Sequence, residues 1–252
     1  MYGWRGRIGM LVPSVNTVCE HDFHRMAPPG ITCHAARIRN SRGDRDDTLA
    51  MLTHVDRATD ELASAHVDVV SFVCTAGSFV EGLGGECELR ARIEQIAGVP
   101  AVTTSGSVVE ALRSLGVRRV VLATPYIRDL NEAEVRFLEE HGFEVLREKG
   151  MGIADAFSIA IPSAQEVYRF VREEVWHPDA EAAFISCTNL CALDAIAPLE
   201  SDLGVPVVTS NQATFWGALR ALSCGDPVRG FGRLLEMPRL ALARLASGQS
   251  NS

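Results

Sequence analysis

Two cysteines, Cys74 and Cys187, stand 113 positions apart at the same place in an internal repeat. Val67-Asp-Val-Val-Ser-Phe-Val-Cys74-Thr75 parallels Glu181-Ala-Ala-Phe-Ile-Ser-Cys187-Thr188, so each thiol closes a buried-type strand and is followed by Thr and small or polar residues. If the two halves are related by approximate two-fold symmetry, the thiols face each other across a cleft. That arrangement suits proton transfer at carbon, because one face of a substrate can be attacked or deprotonated while the other is protonated. The backbone N–H groups of a turn after a strand should lower a thiol pKa and also hold a carboxylate. Free cysteines ordinarily pack as small hydrophobes, and that is the reading for Cys19, Cys33, Cys87, Cys191 and Cys224. Equivalent placement in a repeat sets Cys74 and Cys187 apart.

The repeat extends beyond the thiols. Gly98-Val-Pro-Ala-Val-Thr-Thr-Ser105 parallels Gly204-Val-Pro-Val-Val-Thr-Ser-Asn211, and Gly9-Met-Leu-Val-Pro13 parallels Val121-Leu-Ala-Thr-Pro125. Short apolar runs bounded by Gly or Pro alternate with amphipathic stretches, which predicts strands at 7–12, 31–37, 67–73, 101–103, 119–123, 144–148, 182–185 and 207–209 with helices between them. The fold class is therefore α/β: two pseudo-symmetric Rossmann-like lobes, each a mainly parallel sheet flanked by helices, with the active site in the cleft between them. The first lobe takes 1–115 plus a C-terminal helix at about 212–247, and the second takes 116–211. Ser107-Val-Val-Glu110, Ser163-Ala-Gln-Glu166 and, more weakly, Asn131-Glu-Ala-Glu134 read as helix-starting capping boxes. Residues after Ser247 read as a frayed tail. Pro13-Ser14-Val15-Asn16-Thr17 follows the first strand and Thr124-Pro125-Tyr126 its counterpart, so both loops should open on the cleft.

Charge and composition exclude other classes. The 252 residues carry 24 basic and 32 acidic side chains, a formal charge of −8, which disfavours nucleic-acid and anionic-membrane partners. No run of 18 apolar residues spans a membrane. Of the basic residues only Lys149 is lysine, and its setting, Arg147-Glu-Lys-Gly150, reads as a solvated loop, which argues against Schiff-base or P-loop chemistry. The 7 cysteines form no short-spaced cluster, so a cytoplasmic chain with reduced thiols is expected. His21 and His24 have no partner cluster, and no metal site is expected.

At these residues the sequence resembles the aspartate/glutamate racemase superfamily, and within it most the maleate cis-trans isomerases, alongside the arylmalonate decarboxylases. The segments that carry the resemblance are Pro13-Ser14-Val15-Asn16-Thr17 with Glu20, Cys74-Thr75-Ala76-Gly77-Ser78, Ala123-Thr124-Pro125-Tyr126 with Asn131, Ser186-Cys187-Thr188-Asn189-Leu190, and Pro206 through Thr214. The resemblance implies a cofactor-free, metal-free enzyme acting on a small dicarboxylate, a homodimer or homotetramer. It implies Cys74 as the nucleophile that adds to the double bond and Cys187 as the thiol that handles protons. Asn16 and Tyr126 match residues that contact the substrate carboxylates or the intermediate, with Ser14, Thr75, Thr188 and Asn189 completing the expected binding set.

One position departs from the pattern. Maleate isomerases carry a further substrate-binding Asn where this chain has Ala156. Arylmalonate decarboxylases keep the cysteine matching Cys187 but have a glycine in place of Cys74, so Cys74 argues against simple decarboxylation. Amino-acid racemases of the superfamily keep both thiols. Isomerisation of maleate or a similar unsaturated dicarboxylate is the leading expectation, with racemisation or decarboxylation on the same scaffold as the alternative, and a non-catalytic carboxylate-binding protein behind both.

Overall fold

The structure, a computed structural model, describes residues 2–42, 44–82 and 84–237. All eight expected strands form: β1 (Gly6–Pro13), β2 (Ile31–Ile38), β3 (Val69–Phe72), β4 (Ala101–Thr103), β5 (Arg119–Thr124), β6 (Glu144–Gly150), β7 (Ala182–Ile185) and β8 (Val207–Thr209). They make two four-stranded sheets with the same order, β2-β1-β3-β4 and β6-β5-β7-β8. Every pairing is parallel.

Burial explains why these segments are strands. β3 and β7 are buried at every position, the signature of a central parallel strand covered by helices on both faces. The edge strands β2 and β6 alternate or expose their side chains instead. Lys149 lies in β6, not in a loop, and its ammonium pairs with Glu174. Charged side chains on a sheet edge discourage pairing with another chain.

Of the three expected capping boxes, only Ser163 with Glu166 forms, at the start of helix Ala164–Phe170. Ser107 and Asn131 lie inside helices Thr104–Ser114 and Arg128–Glu140. The first of those is capped earlier, by Thr103 at the end of β4, because the strand runs straight into the helix without a loop. Cys87 is exposed on helix Gly85–Ala97 and does not pack, whereas Cys19 is buried and Cys33, Cys191 and Cys224 are partly buried.

After β8 the chain enters helix Ser210–Ala221, which lies against the first lobe: Phe215 meets Phe23 edge-on with ring centroids 5.3 Å apart, and Thr214 bonds Thr104 at 3.0 Å. Gly217 permits this approach, since a Cβ there would stand 2.6 Å from the Ser107 hydroxyl oxygen. The expected single C-terminal helix is broken: it ends at Ala221, 222–232 form no helix or strand, and a short helix follows at Arg233–Glu236. The later part of the expected helix and the tail fall in 238–252, outside the described residues.

Candidate active site

Parallel strands deliver their carboxyl ends to one edge of a sheet, and loops there can converge on a ligand. The loops after β1, β3, β5 and β7 do so, enclosing an open cavity with about 680 Å³ of empty space counted to its mouth. Cys74 and Cys187 both line it, together with Asn16, Thr75, Tyr126, Thr188 and Asn189. Ser14 does not. Its hydroxyl is turned back to the loop after β2, donating to the Asn40 carbonyl at 2.9 Å and accepting from the Asn40 N–H at 3.0 Å.

Each sulfur sits beside backbone N–H groups. Cys74 is the N-cap of the short helix Thr75–Phe79, and the Gly77 N–H points at its Sγ at 3.3 Å. The N–H groups of Thr75 and Ala76, as first-turn donors, have no acceptor within the helix. Cys187 has φ +89°, a left-handed conformation rare for residues other than glycine. It is held there by its own N–H to the Ser210 hydroxyl at 3.0 Å, and the Asn189 N–H reaches its Sγ at 3.4 Å.

These donors do not make the resting thiols acidic, contrary to the expectation from the turn. Burial pushes the Cys74 thiol up to about 12, against the pull of the Gly77 N–H, and the nearness of Cys187 adds to the rise. Burial likewise pushes Cys187 up to about 11, with the Asn189 N–H and the Tyr126 hydroxyl pulling the other way. Removal of a small anion from water outweighs two or three weak N–H···S contacts. Both thiols therefore rest protonated near neutral pH, and one thiolate discourages a second nearby.

The polar side chains of the cavity join the lobes. The Asn16 amide donates to the Thr188 hydroxyl at 3.0 Å, while its carbonyl oxygen caps helix Cys19–Met26 by accepting from Val18 and Cys19 at 2.9 and 3.0 Å. Thr188 donates to the Val73 carbonyl at 3.2 Å, and Thr75 donates to Ser210 at 2.9 Å. Asn189 accepts from the Thr17 N–H and donates to the Ala156 carbonyl, each at 2.9 Å. One amide proton each on Asn16 and Asn189 remains for a ligand carboxylate.

Sequence reasoning missed two other parts of the wall. Asn40, Arg42, Asp44 and Thr48 reach the cavity from the segment after β2, where Arg42 and Asp44 pair at 3.0 Å. Another part of the lining is apolar: Val15, Leu130, Ile153, Ala156 and Ile159. The sequence signals only the second, through the Ala156 departure. Among the described residues no group of three or more His, Cys, Asp or Glu could hold a metal ion, and no helix is long and apolar enough to cross a membrane.

The arylmalonate decarboxylase family model matches residues 8–235. The chain belongs to that family. It is 34% identical over 231 residues to an arylmalonate decarboxylase of Bordetella bronchiseptica, covering 91% of this chain and 96% of that one. It is 30% identical over 241 residues to a maleate isomerase of Pseudomonas putida, with the same coverage. Its fold matches that of a Nocardia farcinica maleate cis-trans isomerase with a TM-score of 0.86 and 26% identity, covering 92% of this chain and 98% of the other. That protein is a cysteine-to-serine variant with a covalently bound succinylcysteine intermediate. A family member with these relatives is an enzyme, and its sheets and helices are those of the maleate isomerases.

Proposed function

We propose that this enzyme interconverts the cis and trans forms of a small unsaturated dicarboxylate of the maleate class, without a cofactor. The observation that carries the reading is the pair of thiols, one from each lobe, lining a single cavity.

The Cys74 thiol first gives its proton to solvent water and, as thiolate, adds to one alkene carbon. The π electrons move to the neighbouring carbon, which takes the Cys187 proton. The double bond has become single, so the barrier to rotation disappears. After rotation the Cys187 thiolate removes a proton from that same carbon, the electrons re-form the double bond, and the C–S bond breaks to release Cys74. The released Cys74 thiolate recovers a proton from water at the end of the cycle, so atoms and charge return to their starting values. A thiolate suits both halves because it attacks and leaves with comparable ease. Asn16, Asn189 and the N–H groups of Thr75 and Ala76 hold the carboxylates, and Tyr126 lies beside the proton-carrying sulfur. The succinylcysteine trapped in the Nocardia relative is the type of adduct this sequence of steps requires.

Proton NMR of the enzyme with millimolar maleate and no additive tests the reading: fumarate should appear, and its absence would sink the proposal. The apolar wall around Ala156 favours one second reading, loss of CO₂ from a malonate bearing an apolar group. The same spectra taken with such a malonate separate the two.

A further inference from the structure

Glu134 on helix Arg128–Glu140 is only 1% exposed, and among the described residues no cation neutralises it. One carboxyl oxygen accepts from the Ser186 hydroxyl at 2.7 Å, and the other, Oε2, has no partner among the described residues. An ionised carboxylate left half-satisfied in the interior is costly unless the group holds a proton part of the time. Ser186 immediately precedes Cys187, and Tyr126 and Cys187 line the same cavity. The Ser186 hydroxyl pulls the Tyr126 phenol down as the Tyr126 hydroxyl pulls down the Cys187 thiol. The four groups form a chain from the cavity into the core of the second lobe.

We propose that Glu134 is the proton reservoir of the site, exchanging one proton with the Cys187 thiol through the hydroxyls of Ser186 and Tyr126. In one state Glu134 is a carboxylate and Cys187 a thiol. In the other, the Cys187 proton has moved to the Tyr126 oxygen, the Tyr126 proton to the Ser186 oxygen and the Ser186 proton to Glu134. One S–H and two O–H bonds break, three O–H bonds form, and the negative charge passes from carboxylate to sulfur. The neutral acid then donates through the chain towards the thiolate, which is the form Cys187 must take after protonating a carbon. Burial raises the Glu134 carboxyl to about 8, so it can hold or release a proton near neutral pH. The titratable groups facing it are Tyr126 from the loop after β5 and Cys187 from the loop after β7, with Cys74 beyond them. The small cavity on its other side is lined by Thr75, Ser105, Val108, Phe137, Leu138 and Phe184, two hydroxyls and four apolar side chains with no further carboxyl, thiol or cation.

The first lobe has no such chain. By the repeat, Val73 stands where Ser186 does and Ser14 where Tyr126 does. The inference rests on Cys187 as the proton-handling thiol, but its test needs no turnover. Iodoacetamide labelling of Cys74 and Cys187, followed separately by mass spectrometry, compares the full-length wild type with Glu134→Gln. Near pH 6.5 the Cys187 rates should agree within about twofold, and near pH 9, where the wild-type carboxylate opposes thiolate formation, the variant should label about fivefold faster. Cys74 should label equally in both. Turnover of maleate by the variant should fall at least about tenfold in kcat with little change in KM. Glu134→Asp, which keeps a titrating carboxyl, should recover part of the wild-type pH profile. Superimposable Cys187 profiles, acceleration of both thiols together, or unchanged kcat would overturn the relay. A split in the labelling profiles without any maleate turnover would instead uphold the relay and reject the substrate assignment.

Discussion

The two lobes present a cysteine at the same point of the same topology and surround it differently. In the first, Cys74 has ordinary extended geometry, φ −150° and ψ 112°, follows the buried apolar Val73, and caps a helix of five residues. In the second, Cys187 is held at φ +89°, follows the hydroxyl of Ser186 and meets the hydroxyl of Tyr126. Each lobe also buries a carboxylate on its first helix, 112 positions apart: Asp22, which accepts from the Asn211 amide at 2.7 Å, and Glu134, whose Oε2 has no partner among the described residues. On the proposed mechanism, these few exchanges in a duplicated scaffold would specialise one sulfur for attack on carbon and the other for carrying a proton.

The largest effect should come from breaking the pair. Cys74→Ser and Cys187→Ser should each lower turnover about a thousandfold or more, since a serine hydroxyl neither attacks nor leaves as a thiolate does. The two should differ in what accumulates. With maleate, Cys187→Ser should build up a covalent adduct on Cys74, detectable as an intact-protein mass shift, and Cys74→Ser should show none on Cys187. Equal trapping by both would erase the division of labour.

Removing the hydroxyl of Tyr126 probes only the second lobe. Tyr126→Phe should cost about 10- to 100-fold in kcat, the usual weight of a proton-transfer partner. It should also slow iodoacetamide labelling of Cys187, which loses a donor to its thiolate, while Cys74 labels as before. A matched slowing of both thiols would show that the ring acts by packing alone.

What the sequence makes legible follows from how local each signal is. The strands are short apolar runs, and all eight appear within a few residues of their expected bounds. The thiols stand out because they are the same residue type at the same repeat position. Ser14 reads as a site residue from its loop, yet a single rotamer turns its hydroxyl to Asn40, and no pattern encodes a rotamer. Glu134 reads as a capping residue because Asn131 lies three positions before it, but Thr124 ends a strand so close to the helix that Asn131 falls inside it and bonds Thr124 at 2.6 Å. Its likeness to Asp22 is hidden because the two differ in type. Arg42 and Asp44 reach the cavity from a loop whose path only the folded chain defines.

The buried carboxylates can be compared through stability. Asp22 is raised to about 6 and Glu134 to about 8, both mainly by burial. A carboxyl raised in the fold is favoured there in its protonated form, so its contribution is whole below the unfolded pKa and is lost as pH rises through the folded value. Wild-type stability should therefore fall from about pH 4 to 6 through Asp22 and on to about pH 8 through Glu134, by at most about 1.4 kcal/mol per pH unit for each group. In urea denaturation at a series of pH values, Asp22→Asn should flatten the decline only between about pH 4 and 6, whereas Glu134→Gln should flatten it across the whole span from about pH 4.5 to 8. Identical slopes in the two variants would mean that the carboxylates are equivalent in solvation as well as in position.

The smallest expected difference lies in the backbone. A non-glycine residue in the left-handed region costs about 1 kcal/mol or more, and glycine removes that cost. In an extended segment glycine instead costs about 0.5 to 1 kcal/mol through the freedom it gives the unfolded chain. Cys187→Gly should thus relieve strain that Cys74→Gly cannot, and Cys74→Gly also gives up the sulfur that accepts the Gly77 N–H. The two inactive variants should melt apart, with Cys187→Gly the more stable by about 1 to 2 kcal/mol. If Cys74→Gly melts at the same temperature or higher, the φ of Cys187 stores no strain, and the asymmetry between the thiols resides wholly in the side chains around them.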